Sequence, residues 1–201
     1  MSERAQFTNQ DGGEAPVRVV ITGFMAAGKT TVARALAARL GCEVVDTDEL
    51  VRAREGRTPA EIIVAEGEAR FREIEARALR DALAPDGPLI VALGGGAWAT
   101  PANRELIAER GCRAVWLDAS FELCWQRIQA EAKAADRPLA RDIETARALY
   151  RARRESYALA AHRVAVADGR TAESIAAEIA NLLSRPQHSG RQRKETRERR
   201  R

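Results

Sequence analysis

The fifteen residues VRVVITGFMAAGKTT, Val17 to Thr31, decide how this chain folds. Val17–Thr22 is a β-branched run of the kind that forms a buried strand. Lys29–Leu40 (KTTVARALAARL) is rich in Ala, Leu and Arg and stops at Gly41, which reads as a helix with its terminator. Between them, Gly23-Phe24-Met25-Ala26-Ala27-Gly28-Lys29-Thr30 fits G-x-x-x-x-G-K-[ST]. In a strand–loop–helix setting the loop amides and the helix N-terminus point at phosphate oxygens. Gly23, Ala26, Ala27, Gly28, Lys29, Thr30 and Thr31 are therefore candidate contacts to a nucleotide's phosphates. Lys29 suits the β- and γ-phosphates, and the Thr30 hydroxyl suits Mg²⁺.

The pattern repeats outward from this unit. Glu43–Asp46, Leu89–Leu93, Arg113–Leu117 and Val164–Ala167 read as further short strands. Helices are expected over Pro59–Leu83 with a break near Gly67, over Pro101–Arg110, from about Ser120, over about Glu144–Leu159, and over Thr171–Leu183. Apolar strands alternating with helices predict an α/β fold, a parallel sheet covered on both faces. Ligands gather at the carboxyl ends of such strands. The phosphate loop follows strand one, Asp46-Thr47-Asp48 follows strand two, and Gly94-Gly95-Gly96 follows strand three. Asp46 and Asp48 can face one cleft, although acidic residues there also cap a following helix. The glycines allow close approach of a ligand to backbone, and a plain flexible turn is the bland alternative. Arg72 in GEARFR, Arg137 in DRPLA and Arg153 in RRESY can each grip a carboxylate or phosphate with two parallel hydrogen bonds; taken singly, each reads as surface.

Composition bounds the rest. A length of 201 residues fits one compact domain. No apolar run approaches the roughly 18 residues of a membrane span, and the polar start, MSERAQFTNQDGGEAP, is not a secretory signal. Residues 185–201 hold seven Arg and one Lys against two Glu; subtracting that +6 from the chain's net +4 leaves residues 1–184 at −2. The basicity is therefore a tail, simplest as a solvated extension able to touch nucleic acid only non-specifically. Cys42, Cys112 and Cys124 form neither a disulfide framework nor a zinc pattern; they are expected to be small buried hydrophobes in a reducing cytoplasm. His162 and His188 lack the company a hydrolase triad requires.

Taken in order, GFMAAGKT, DTD, GEARFREIE, LGGGAW, NRELI, VWLDA, DRPLA and RRESY resemble shikimate kinase from about Val17 to Leu183. The resemblance implies a P-loop three-layer α/β/α fold with a five-stranded parallel sheet in the order 2-3-1-4-5 and a mobile lid. It implies a domain over 17–184, with a substrate-binding segment at about 47–83 and a lid at about 128–143, flanked by disordered tails at 1–16 and 185–201. It implies a monomer that uses ATP as co-substrate and Mg²⁺ as cofactor to phosphorylate the 3-hydroxyl of shikimate. By motif, Lys29 and the loop amides bind ATP, and Thr30 and Asp46 serve the metal. Asp48 meets the shikimate hydroxyls as base, Arg72 and Arg153 grip its carboxylate, and Gly94, Gly95 and Gly96 lie against the ring. Glu75 steadies the arginines, and Arg137 closes over the transferring group. Arg127 corresponds to a residue that stacks on adenine. Ala26 stands where the family usually has glycine, and the proline that commonly faces the adenine is not evident in ADGRTAES. A gluconate-kinase-like enzyme is the nearest alternative. A P-loop ATPase or regulatory switch is more remote, because D-x-x-G and N-K-x-D motifs are missing.

Overall fold

The computed structural model describes residues 17–130 and 142–184. Arg137, most of the expected lid, His188 and both tails lie outside the described residues.

Five strands form one parallel sheet: β1 (Val19–Thr22), β2 (Val44–Asp46), β3 (Ile90–Ala92), β4 (Arg113–Ala119) and β5 (His162–Val166). Their order is β2-β3-β1-β4-β5, as the resemblance implied. Position in the sheet explains the sequence of each strand. Central β1 and β3 are buried at every residue and read as unbroken apolar runs, whereas edge strand β5 alternates exposed with buried residues. The register sets Val20 beside Val91 on one side and Ala114 on the other.

Eight α-helices are present among the described residues. They are α1 (Lys29–Leu40), α2 (Thr47–Glu55), α3 (Pro59–Glu66), α4 (Glu68–Ala82), α5 (Pro101–Glu109), α6 (Phe121–Ala130), α7 (Ile143–Tyr157) and α8 (Ala172–Leu183). Helices α1 and α8 pack on each other, while α5 packs against β4 and α4. The main core joins β1, β3 and β4 to Val32, Leu36, Leu79, Ile107, Ile128 and Ile179. A second cluster, Val51, Ile62, Phe71, Ile74 and Ala78, holds α2, α3 and α4 together as a small subassembly.

The expected break near Gly67 is real. Thr58 and Glu61 form a capping box at the start of α3, and Gly67 at φ +88° separates α3 from α4. Helix α2 was not foreseen: it begins directly at the carboxyl end of β2 and buries only Thr47 and Val51, too few for a visible period. Strand β5 starts two residues earlier than expected and ends one earlier. Cys124 is buried as expected, but Cys42 and Cys112 are half-buried, because both lie in the turns that precede β2 and β4.

Candidate active site

The carboxyl ends of β1, β2 and β3 open into a cleft of about 840 Å³. Ala26 to Thr31 line one part of it, and Asp46, Asp48, Arg72, Glu75, Gly95, Gly96 and Arg153 line another. Gly23 and Gly94 do not line the cleft. A Cβ on Gly23 would lie 2.7 Å from the Leu117 carbonyl oxygen, so this glycine lets the loop lean on β4. A Cβ on Gly94 would run into Asp48 Oδ1 and lie 2.8 Å from Glu75 Oε1, so Gly94 makes room for carboxylates.

The phosphate loop is a tight turn into α1. Gly28 caps the helix at φ +95°, and its carbonyl accepts from Val32 N–H at 2.9 Å. Lys29 Nζ donates to the Phe24 carbonyl at 3.0 Å, which keeps the ammonium over its own loop. Ala26 has φ +58°, the sole non-glycine residue with positive φ among those described. From α6, Arg127 Nη1 donates to the Ala26 carbonyl at 3.3 Å, which brings its guanidinium to the phosphate loop.

Asp46 serves two purposes at once. Its Oδ1 accepts from the backbone N–H groups of Asp48 and Glu49, at 2.8 and 3.4 Å, capping α2. Its Oδ2 accepts from the Thr30 hydroxyl at 2.5 Å. Capping and cleft chemistry, alternatives in the sequence, coexist in one side chain. The cap also starts the helix that turns Asp48 inward. There Asp48 is pushed up to about 6, chiefly by burial and then by the Asp46 and Glu75 carboxylates, with Lys29 and Arg72 pulling the other way.

Arg72 and Glu75 lie one turn apart on α4. Arg72 Nη1 donates to Glu75 Oε2 at 2.7 Å and Nη2 to Glu68 at 2.6 Å. Glu75 is 1% exposed and its Oε1 has no hydrogen-bond partner. Burial raises its carboxyl above the usual range against the pull of Arg72 and Arg153. The Arg72 guanidinium lies where a Cβ on Gly96 would be. Arg153, 7% exposed on α7, donates to the Gly95 carbonyl at 3.1 Å. The same oxygen accepts from Tyr157 at 2.6 Å, and burial pushes that phenol up to about 12, so it remains a donor.

A family model for shikimate kinase matches residues 25–184. The chain belongs to the shikimate kinase family. A shikimate kinase of Symbiobacterium thermophilum is 42% identical over 170 residues, covering 83% of this chain and 96% of that one. The solved shikimate kinase from Acinetobacter baumannii in complex with shikimate has a TM-score of 0.74 at 32% identity, covering 83% of this chain and 92% of that one. A gluconokinase from Sinorhizobium meliloti, with a TM-score of 0.55 at 20% identity over 84% of this chain and 95% of that one, is alike in fold alone.

Within this shikimate kinase fold several contacts escape sequence reasoning. Thr47, buried between the two aspartates, accepts from Gly94 N–H at 2.8 Å and ties α2 to the glycine turn. Trp98 donates to the Ser156 carbonyl at 2.8 Å, tying that turn to α7. Arg52 and Arg170 also line the cleft, and Arg170 is held by the Ala165 carbonyl and Glu178 at 2.7 Å each. The last two sit in arginine-rich surroundings where nothing in the sequence singles them out. Thr47 had a signal, since a short polar residue between two cleft carboxylates must itself find a partner when buried.

Proposed function

We propose that this chain transfers the γ-phosphoryl group of ATP to the 3-hydroxyl of shikimate, giving shikimate 3-phosphate for chorismate and aromatic amino-acid synthesis. One observation carries the reading. A phosphate loop, a half-buried carboxylate and two guanidinium groups share a single cleft. A donor phosphate and an acidic polyol can therefore be bound side by side there.

In this reading the loop amides and Lys29 hold the phosphates, with Lys29 leaving the Phe24 carbonyl for the β- and γ-oxygens. Arg72 and Arg153 fix the shikimate carboxylate, and Gly95 and Gly96 let its ring lie close to backbone. Asp48 orients the attacking hydroxyl and accepts its proton, a role suited to a carboxylate raised toward neutrality. The transition state of phosphoryl transfer is loose and highly charged, so positioning and cations supply most of the rate. Arg137 is proposed as a further cation, from the lid.

Thr30 and Asp46 fit Mg²⁺. They are hard oxygen donors already in contact, and no group of three or more His, Cys, Asp or Glu able to hold a metal exists among the described residues. Such a sparse donor set suits an ion that keeps waters and substrate phosphates in its shell. When bound, Mg²⁺ neutralises charge on the β- and γ-phosphates. A monomer is proposed, as the resemblance implies. A cytoplasmic setting is proposed, since Cys42, Cys112 and Cys124 form no disulfide with one another. No helix among the described residues is long and apolar enough to cross a membrane.

The deciding experiment measures ADP release from ATP and Mg²⁺ with shikimate, with gluconate, and with no acceptor, using Lys29→Ala as control. Release that needs shikimate and is lost in the variant is expected. Gluconate-dependent release would reassign the acceptor, and release without acceptor would make the chain an ATPase.

A further inference from the structure

Arg154 follows the cleft-facing Arg153 but serves a different surface. Successive residues lie about 100° apart around a helix, so α7 presents two neighbouring stripes. Arg153 and Tyr157, four apart, both donate to the Gly95 carbonyl. Tyr150 and Arg154, also four apart, meet the end of β4. Arg154 binds Asp118 with both nitrogens, Nη1 to Oδ1 at 2.7 Å and Nη2 to Oδ2 at 3.3 Å. Its Nη1 also donates to the Tyr150 hydroxyl at 2.8 Å, which donates in turn to the Ala119 carbonyl at 2.9 Å. Asp118 takes a second cation, Arg163 of β5, whose Nε donates to Oδ2 at 2.7 Å. Trp116 lies under both guanidinium groups, 5.1 Å from Arg154 and 5.3 Å from Arg163. The Asp118 side chain is 7% exposed, whereas Arg154 and Arg163 are 43% and 61% exposed, so the pairs are shielded from solvent on the carboxylate side alone.

We infer that the Asp118–Arg154 pair sets the rotation of α7 about its axis and thereby the aim of Arg153 at the substrate carboxylate. Arg154 is a positioning residue for shikimate, a step that rests on the reading of Arg153 given above. The lever is short and steep. An arginine tip roughly 8 Å from the helix axis moves by more than 1 Å for a rotation of about 10°. A shift of that size is enough to spoil a two-bond grip on a carboxylate. Arg163 shares the carboxylate but belongs to β5, so losing it costs an ion pair without freeing α7.

The test is steady-state kinetics on the full chain and on Arg154→Met, Arg154→Lys, Arg163→Met and Arg153→Met, each with a melting temperature. Arg154→Met is expected to raise the KM for shikimate about fivefold or more while the KM for ATP stays within about twofold. Arg154→Lys, which keeps a charge on Asp118, recovers part of that loss, and Arg163→Met leaves the shikimate KM within about twofold. Equal rises in both KM values, or equal effects of Arg154→Met and Arg163→Met, would overturn the positioning role and leave a general effect on the fold. An Arg153→Met variant that keeps its shikimate KM would remove Arg153 from the substrate site, and the inference with it.

Discussion

Ala26 is held at φ +58°, where a Cβ crowds its own carbonyl and where about 1–2 kcal/mol is lost relative to ordinary backbone. Glycine would relieve that strain but loses more freedom on folding, by about 0.5–1 kcal/mol. Ala26→Gly is therefore expected to stabilise the chain by about 0.5–1 kcal/mol, a rise of about 1–4 °C in a melting scan. A fall in Tm would mean that the loop tolerates alanine without strain. Asp48 carries a different tension. Its folded value of about 6 lies above the ordinary 3.8, so the folded chain binds this proton more tightly than the unfolded one. The group consequently favours folding below its ordinary value, and its contribution is withdrawn as pH rises from about 4 to 6, by about 2 kcal/mol at most after partial solvent screening. Asp48→Asn should raise Tm at pH 7.5, leave it nearly unchanged at pH 4, and lower turnover by about 10²-fold or more. In the parent enzyme kcat/KM for shikimate should fall on the acid side with an apparent pKa at or below about 6. Wild-type turnover from Asp48→Asn would remove the proposed base.

The three-glycine turn after β3 is the element that lets three helices converge. Gly94 gives space to Asp48 and Glu75 from α2 and α4, Gly95 offers its carbonyl to α7, and Gly96 gives space to the Arg72 guanidinium. The obstacle at Gly96 is the far end of a flexible side chain, so Gly96→Ala should displace Arg72 rather than the backbone. That variant is expected to raise the shikimate KM about tenfold, with the ATP KM unchanged and Tm within about 2 °C. A matching loss for ATP would place the damage in the whole cleft. This turn also marks how far sequence reasoning carries. A glycine triplet beside two aspartates after neighbouring strands is legible, because strand periodicity and loop chemistry are local. All five strands and the break at Gly67 were legible for the same reason. Helix α2 was not, since a nine-residue helix with two buried positions leaves no period to read. Nor were Asp118 with Arg154 or Thr47 with Gly94, pairs separated by 36 and 47 residues, whose partners are chosen by the sheet rather than by spacing.

At the scale of the molecule, parallel pairing brings the ends of β1, β2 and β3 together, and the cleft inherits opposite charges at close quarters: Lys29, Arg72 and Arg153 against Asp46, Asp48 and Glu75. The protein's net charge does not enter, because residues 1–184 sum to about −2 and the excess of cations lies in residues 185–201. Among these groups Glu75 Oε1 is buried without a hydrogen-bond partner, and Lys29 donates to the Phe24 carbonyl of its own loop. Ligands that need this assembled cleft bind only the folded chain and must therefore stabilise it. At a hundred times its Kd a ligand adds about 2.7 kcal/mol, or about 5–10 °C of Tm for a domain of this size. Shikimate alone and ADP with Mg²⁺ alone should each produce such a shift in the parent protein. Arg72→Ala should abolish the shikimate shift and keep the nucleotide shift, whereas Lys29→Ala should do the reverse. Loss of both shifts from either single change would show that the two halves of the cleft do not bind independently, and would move the role of that residue from ligand contact to the architecture of the site.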